Sequence, residues 1–96
     1  MGAKTDELVV VLTELHELTK NDHHVDWAQW MMNAKSRLEK SDFSGIDYLL
    51  GAYGGMGSFN DIYIHSSKEL DERFSLLRTR AWELANHIKR NHEINT

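Results

Sequence analysis

Six histidines, fifteen acidic side chains and no cysteine restrict any metal chemistry in this 96-residue chain to imidazole and carboxylate ligands. Two ligands on one helix need i, i+3 or i, i+4 spacing to face the same ion. His23 and His24 are adjacent, which on a helix turns them about 100° apart, with Asp22 and Asp26 close by. His87 and His92 are five positions apart, and His16-Glu17 opens like a zinc-protease motif but meets Lys20 where the second histidine should stand. The spacing therefore predicts surface histidines, no metal ligands and no cofactor. Ser58, Asp61 and His65 have the residue types of a hydrolase triad. A triad is defined by geometry, however, and three such residues on one short loop do not specify it. No Walker lysine accompanies the nearby glycines, and no GxGxxG follows a strand pattern. The chain is read as non-enzymatic.

The residues around that would-be triad are unusual in another way. Gly54, Gly55 and Gly57 are three of only six glycines in the chain, packed into Gly54-Gly55-Met56-Gly57-Ser58-Phe59-Asn60-Asp61. Glycine adopts positive φ without steric cost, so this cluster predicts an irregular backbone path. Ser58, Asn60 and Asp61 fit it as side chains that accept hydrogen bonds from loop backbone N–H groups. The six residues Gly54, Gly55, Gly57, Ser58, Asn60 and Asp61 are thus assigned to loop structure. Loops of this kind on a regular scaffold are also where function concentrates.

The scaffold that must hold this loop reads as helix. There is no proline, and no alternating β-branched pattern of useful length. A first helix is predicted from about Lys4 to Lys20, with Thr5 as N-cap and Leu8, Val11, Leu12, Leu15 and Leu18 as its buried stripe. A second runs from about His23 or Asp26 to Lys40 and buries Trp27, Trp30, Met31, Ala34 and Leu38. A short third helix, Ile46 to Tyr53, is capped by Ser44 with Asp47 and stopped by Gly54 or Gly55. Phe59 to Ile64 could be extended. A capping box of Ser66 and Glu69 then opens the longest helix, whose seam is Leu70, Phe74, Leu77, Ala81, Leu84 and Ile88. The expected fold is all-α: one domain over residues 1–96, a small antiparallel bundle of three long helices and one short one. Val9, Val10, Met32, Leu76 and Trp82 lie off these stripes, as apolar surface available to a partner.

Charge adds direction. Residues 1–30 carry Asp6, Glu7, Glu14, Glu17, Asp22 and Asp26 against Lys4 and Lys20, which accounts for the whole net charge of −4; the remainder is balanced. An acidic front disfavours nucleic acid, whose phosphates select basic surfaces, and favours a basic protein partner. Glu7, Glu14, Glu17, Asp22 and Asp26 are therefore assigned to partner binding, with Trp82 as the aromatic anchor. On the last helix Arg73, Arg78, Arg80, Lys89 and Arg90 are interleaved with acids, consistent with a solvated, ion-paired face. No segment approaches the length of a membrane span and the N-terminus lacks a signal-peptide pattern, so a cytoplasmic location without membrane contact is expected.

With a tryptophan-bearing helix (Trp27), an acidic turn and short helix (Asp42 to Leu50), the Gly54–Asp61 loop and a long final helix (Leu70 to Ile88), the chain resembles a family of small bacterial helical proteins classed as a domain of unknown function. The resemblance spans about residues 8 to 90, the loop being its specific part. In size and helical layout the chain is also similar to bacterial immunity proteins that neutralise a cognate toxin. That resemblance implies a non-catalytic binding protein whose partner is a toxin with a basic surface. The alternative is a small regulatory protein, or a homodimer that buries the off-stripe residues.

Overall fold

A computed structural model describes residues 2–54 and 57–91. Among the described residues four α-helices run in the order α1 (Ala3–Asn21), α2 (Val25–Glu39), α3 (Ser44–Leu50) and α4 (Lys68–Asn91), with a 3-10 turn at Phe59–Asp61 before α4. The fold is an all-α small bundle. α1 packs against both α2 and α4, while α3 bridges α2 and α4. No described helix is long and apolar enough to cross a membrane.

The core follows the helical spacing of the apolar residues. Leu8, Leu12 and Leu15 of α1 meet Met31, Ala34 and Leu38 of α2, Ile46 and Leu49 of α3, and Phe74, Ala81, Leu84 and Ile88 of α4. Trp27 and Trp30 are only partly buried, at the edge of this cluster, and Leu70, expected in the α4 seam, is exposed.

Helix boundaries differ from the sequence expectation where a side chain has a better use elsewhere. α1 starts earlier than Lys4, so Thr5 lies within the helix and is buried instead of capping it. α3 stops at Leu50, before the glycines that were expected to end it. Its first turn is served by the Asp42 carboxylate, which accepts the Ser44 N–H at 3.0 Å, while Asp47 pairs with Lys89 at 2.9 Å. α4 is opened by Ser67, whose hydroxyl accepts the Leu70 N–H at 3.1 Å. Ser66 is engaged with Asp22.

α1 and α2 end in the same way. His23 (φ 66°) and Ser41 (φ 57°) occupy the left-handed region. The next residues reach back across the last turn: His24 N–H to Thr19 O at 2.8 Å, and Asp42 N–H to Arg37 O at 2.9 Å. This is the helix-ending motif usually built on glycine. A side chain at such a φ is strained, so Ser41→Gly is expected to raise the unfolding free energy by about 0.5–1 kcal/mol in urea denaturation. A loss of stability would mean that the Ser41 side chain makes a contact outweighing that strain.

Candidate functional site

The glycine loop and the segment after it, residues 57–67, cross the bundle without a strand partner. Their backbone groups must still be satisfied, and charged side chains do this. Arg78 of α4 donates from Nη1 to the carbonyls of Phe59 (3.0 Å) and Ile62 (2.9 Å). Asp71, also of α4, accepts the Ile64 N–H at 2.8 Å. Asp22, in the turn after α1, accepts the N–H groups of His65 (2.8 Å) and Ser66 (3.0 Å). Phe59 closes the loop by donating its N–H to Ala52 O at 2.9 Å. The expected extended run from Phe59 to Ile64 is thus a 3-10 turn, with Ile62 extended after it.

Within the loop, Gly54 (φ 101°) and Gly57 (φ 74°) take the left-handed conformations that the glycine cluster predicts. The Asp61 carboxylate accepts the Gly57 N–H at 2.6 Å, and the Ser58 hydroxyl accepts the Asn60 N–H at 3.2 Å. Gly55 lies outside the described residues. Ser58, Asp61 and His65 share no side-chain hydrogen bond: each is committed to a different partner, Asn60, Gly57 and Asp22 respectively.

Phe59 fixes the loop to the bundle. It is fully buried, with its ring centroid 5.4 Å from Trp27 and 5.4 and 5.6 Å, in edge-to-face contact, from Phe74 and Tyr53. Beyond Trp27 the aromatic chain continues through Trp30 to Tyr48, whose rings stack at 4.8 Å, and Trp30 donates its indole N–H to the Tyr48 carbonyl at 2.9 Å. The Tyr53 hydroxyl donates to Arg78 O at 2.7 Å. Burial pushes that phenol up, against the opposing charge of Arg78, so Tyr53 is a fixed hydrogen-bond donor at any physiological pH.

The acidic residues assigned to partner binding do not form one surface. Glu7 receives two hydrogen bonds from Arg80, at 2.7 and 3.0 Å, and Glu14 two from Arg73, at 2.6 and 2.9 Å. Each guanidinium holds its carboxyl below the usual range. These two acids therefore tie antiparallel α1 to α4, with their charge neutralised in place. Asp22 departs furthest from its assignment. Its side chain is only 4% exposed and turned inward, and besides the two backbone N–H groups it accepts the Ser66 hydroxyl (2.6 Å), His65 Nδ1 (3.0 Å) and His24 Nε2 (3.1 Å). Burial alone would raise its pKa, but the hydrogen bonds from Ser66 and His65 prevail and hold it well below the ordinary carboxylate range. Glu17 and Asp26 remain exposed.

Trp82 is 48% exposed. It lines a shallow groove of about 200 Å³ with Tyr53, Asn60 and Thr79, beside the glycine loop. That volume is below the roughly 300–1,000 Å³ of small-molecule sites. On its other side Trp82 borders a second groove with Lys4, Arg80, Asn86, His87 and Arg90. Trp82 is 14 residues beyond Lys68, where α4 begins next to Asp22 and its partners, so roughly 21 Å of helix separates it from that end. The tryptophan and the acidic turn belong to different ends of the molecule.

The histidines are not all independent. His24 and His65 converge on Asp22, and the ligating atoms of the three side chains lie within 4.8 Å of one another. Helical spacing could not show this pairing, because His65 comes from the segment before α4. His92 lies outside the described residues, so its relation to His87 is not described.

Residues 19–71, over half of the chain, match the family described as Domain of unknown function (DUF6966), and the chain belongs to it. The match contains α2, α3, the glycine loop and the Asp22 anchor, a narrower span than residues 8 to 90. No curated protein and no solved structure matches the chain.

Proposed function

We propose that this DUF6966 protein is a non-catalytic protein-binding domain, and most concretely an immunity-type inhibitor that neutralises a cognate bacterial toxin by direct contact. The observation that carries this reading is Trp82, half-exposed on a regular helix and flanked by the glycine loop through Tyr53 and Asn60. Half-exposed tryptophans next to polar rims are the residue type that dominates binding energy at protein interfaces. A glycine-containing loop beside one lets a partner's surface approach the backbone closely. The exposed acids Glu17 and Asp26 stand at the opposite end, where they would steer a basic partner without being buried in the contact. Glu7, Glu14 and Asp22 carry less of that role in this reading, being engaged by Arg80, Arg73 and the His65–Ser66 segment.

Co-expression with the product of the adjacent gene tests the proposal. Copurification and rescue of growth are expected for the native chain. Trp82→Ala should weaken the complex by about 2 kcal/mol or more while leaving the thermal midpoint of the free protein unchanged. Glu17→Lys with Asp26→Lys should slow association, more at low salt than at high. Neither copurification nor rescue would end the immunity reading.

One observation favours a second reading, self-association. Val10 and Leu76 are 66% and 68% exposed. Helical spacing places them on the α1–α4 seam between the Glu7–Arg80 and Glu14–Arg73 pairs. An apolar stripe bounded by charges on both sides is the pattern of a small two-fold interface. Light scattering at two concentrations separates the readings: a mass that doubles with concentration, and returns to the monomer in Leu76→Glu, supports the dimer.

A further inference from the structure

The imidazole and carboxylate groups of Asp22, His24 and His65 gather beside the turn after α1 with the donor set of a metal site. Asp22 Oδ2 is 3.1 Å from His24 Nε2 and 3.0 Å from His65 Nδ1. Two ligand atoms on one tetrahedral zinc ion, at about 2.0–2.1 Å each, lie roughly 3.3 Å apart. Two of the three edges of a ligand triangle are therefore already at nearly the right length. The third, between the two ring nitrogens, is no longer than 4.8 Å, and closing it to roughly 3.3 Å needs a shift of at most about 1.5 Å. His65 is 59% exposed, and its ring neighbours are the Tyr63 and His24 rings at 4.3 and 5.7 Å, so such a shift does not disturb the core.

The carboxylate is also oriented as a metal ligand should be. Its other oxygen, Oδ1, is fixed by the Ser66 N–H and hydroxyl at 3.0 and 2.6 Å, while Oδ2 accepts the His65 backbone N–H at 2.8 Å and faces the two imidazoles. Outer hydrogen bonds of this kind hold ligands in place at natural metal sites. A further oxygen is at hand, since the Tyr63 carbonyl lies 3.0 Å from His24 Nε2.

In the ion-free arrangement both ring nitrogens must carry protons, because a carboxylate and a carbonyl only accept. A neutral imidazole can present a lone pair at the same nitrogen by moving its proton to the other one. An ion can thus take the place of the two N–H donors at Asp22.

We propose that Asp22, His24 and His65 form a binding site for one zinc-class divalent cation, which would clamp the turn after α1 to the segment leading into α4. Two imidazoles and one carboxylate select zinc, cobalt, nickel or copper over magnesium and calcium, which require oxygen-rich shells. A three-residue set leaves a coordination position for water or for a donor from a partner. The site does not depend on the Trp82 surface, which lies roughly 21 Å further along α4.

Calorimetric titration of the chelator-treated protein with zinc chloride, repeated with cobalt(II) to read the visible spectrum of the bound ion, tests the site directly. One ion per chain is expected, together with a rise in thermal midpoint and a cobalt absorption typical of four- or five-coordinate nitrogen and oxygen ligands. Magnesium should do none of this. His65→Ala and His24→Ala should each weaken zinc binding on the order of 100-fold, while His87→Ala changes it less than about twofold. His65 is exposed and its backbone N–H still reaches Asp22, so His65→Ala keeps its fold, which circular dichroism verifies. Absence of stoichiometric zinc binding overturns the site, and so does binding that survives both His24→Ala and His65→Ala.

Discussion

Phe59→Ala is expected to lower the unfolding free energy by about 3–5 kcal/mol, the range for truncating a buried phenylalanine. Small domains have about 5–15 kcal/mol in total, so this one change should bring the chain close to unfolding at ambient temperature. The size of the effect follows from what the ring touches. It is fully buried and holds Trp27, Tyr53 and Phe74 around it at centroid distances of 5.4, 5.6 and 5.4 Å. Its deletion leaves a void that three large rings from α2, the loop and α4 cannot fill together without leaving their rotamers. The backbone carbonyl that Arg78 binds at 3.0 Å remains in the variant but loses the buried ring that anchors its segment. Phe59→Leu, which keeps most of the volume, should cost well under half as much. Urea denaturation of the two variants beside the native protein decides it. A loss below about 1 kcal/mol for alanine would mean that the ring is peripheral to stability.

That Phe59 is the keystone of the loop could not be read from the chain. Its neighbours Gly57, Ser58, Asn60 and Asp61 announce a turn, and the turn is there, because glycine conformations and short polar caps are local properties. The stripes Leu8–Leu12–Leu15 and Phe74–Ala81–Leu84–Ile88 were legible for a related reason: helical periodicity encodes which face is buried. What a charged residue does is decided by a partner far away in sequence. Glu7 and Arg80, or Asp22 and Ser66, meet only after the helices pack, and the sequence offers no signal for such pairs except their presence in complementary numbers. Hence the acidic first third looked like a free surface, while half of it closes α1 on α4 and anchors the loop. Arg78, grouped by sequence with a solvated face, is instead drawn in by two loop carbonyls and the Phe74 ring. The left-handed helix ends at His23 and Ser41 were hidden because neither residue is glycine.

The segment between the glycine loop and α4 shows why these long-range pairs matter. A stretch of backbone lacking helix or strand partners stays on a protein only if something else satisfies it. Here Arg78, Asp71 and Asp22 each reach one part of it, and Phe59 supplies the apolar anchor. Asn60, which borders Trp82, directly follows the anchored Phe59, an arrangement that suits a contact binding without first paying the entropy of ordering.

Asp22→Asn should test that anchoring most severely among the polar residues, with an expected loss of about 2–3 kcal/mol. Both side chains have the same shape, and the amide oxygen can still accept from Ser66. The amide nitrogen, however, then faces the His65 backbone N–H, a fixed donor, and keeps His65 Nδ1 and His24 Nε2 as partners only if both rings move their protons to the other nitrogen, all in a site where the native carboxylate is 4% exposed. The damage should be local first: hydrogen exchange should accelerate at residues 62–67 while the centres of α1 and α4 stay protected. The pH dependence follows from the lowered pKa of Asp22. A carboxyl whose folded pKa lies below its unfolded value of about 3.9 stabilises the fold fully above that value and loses the contribution as pH falls through the folded pKa. The native protein should therefore exceed Asp22→Asn in stability at neutral pH, and the margin should shrink steadily below about pH 4. A margin that stayed flat down to pH 2, or one below about 0.5 kcal/mol at neutral pH, would show that the carboxylate's charge is not what holds the loop to the turn.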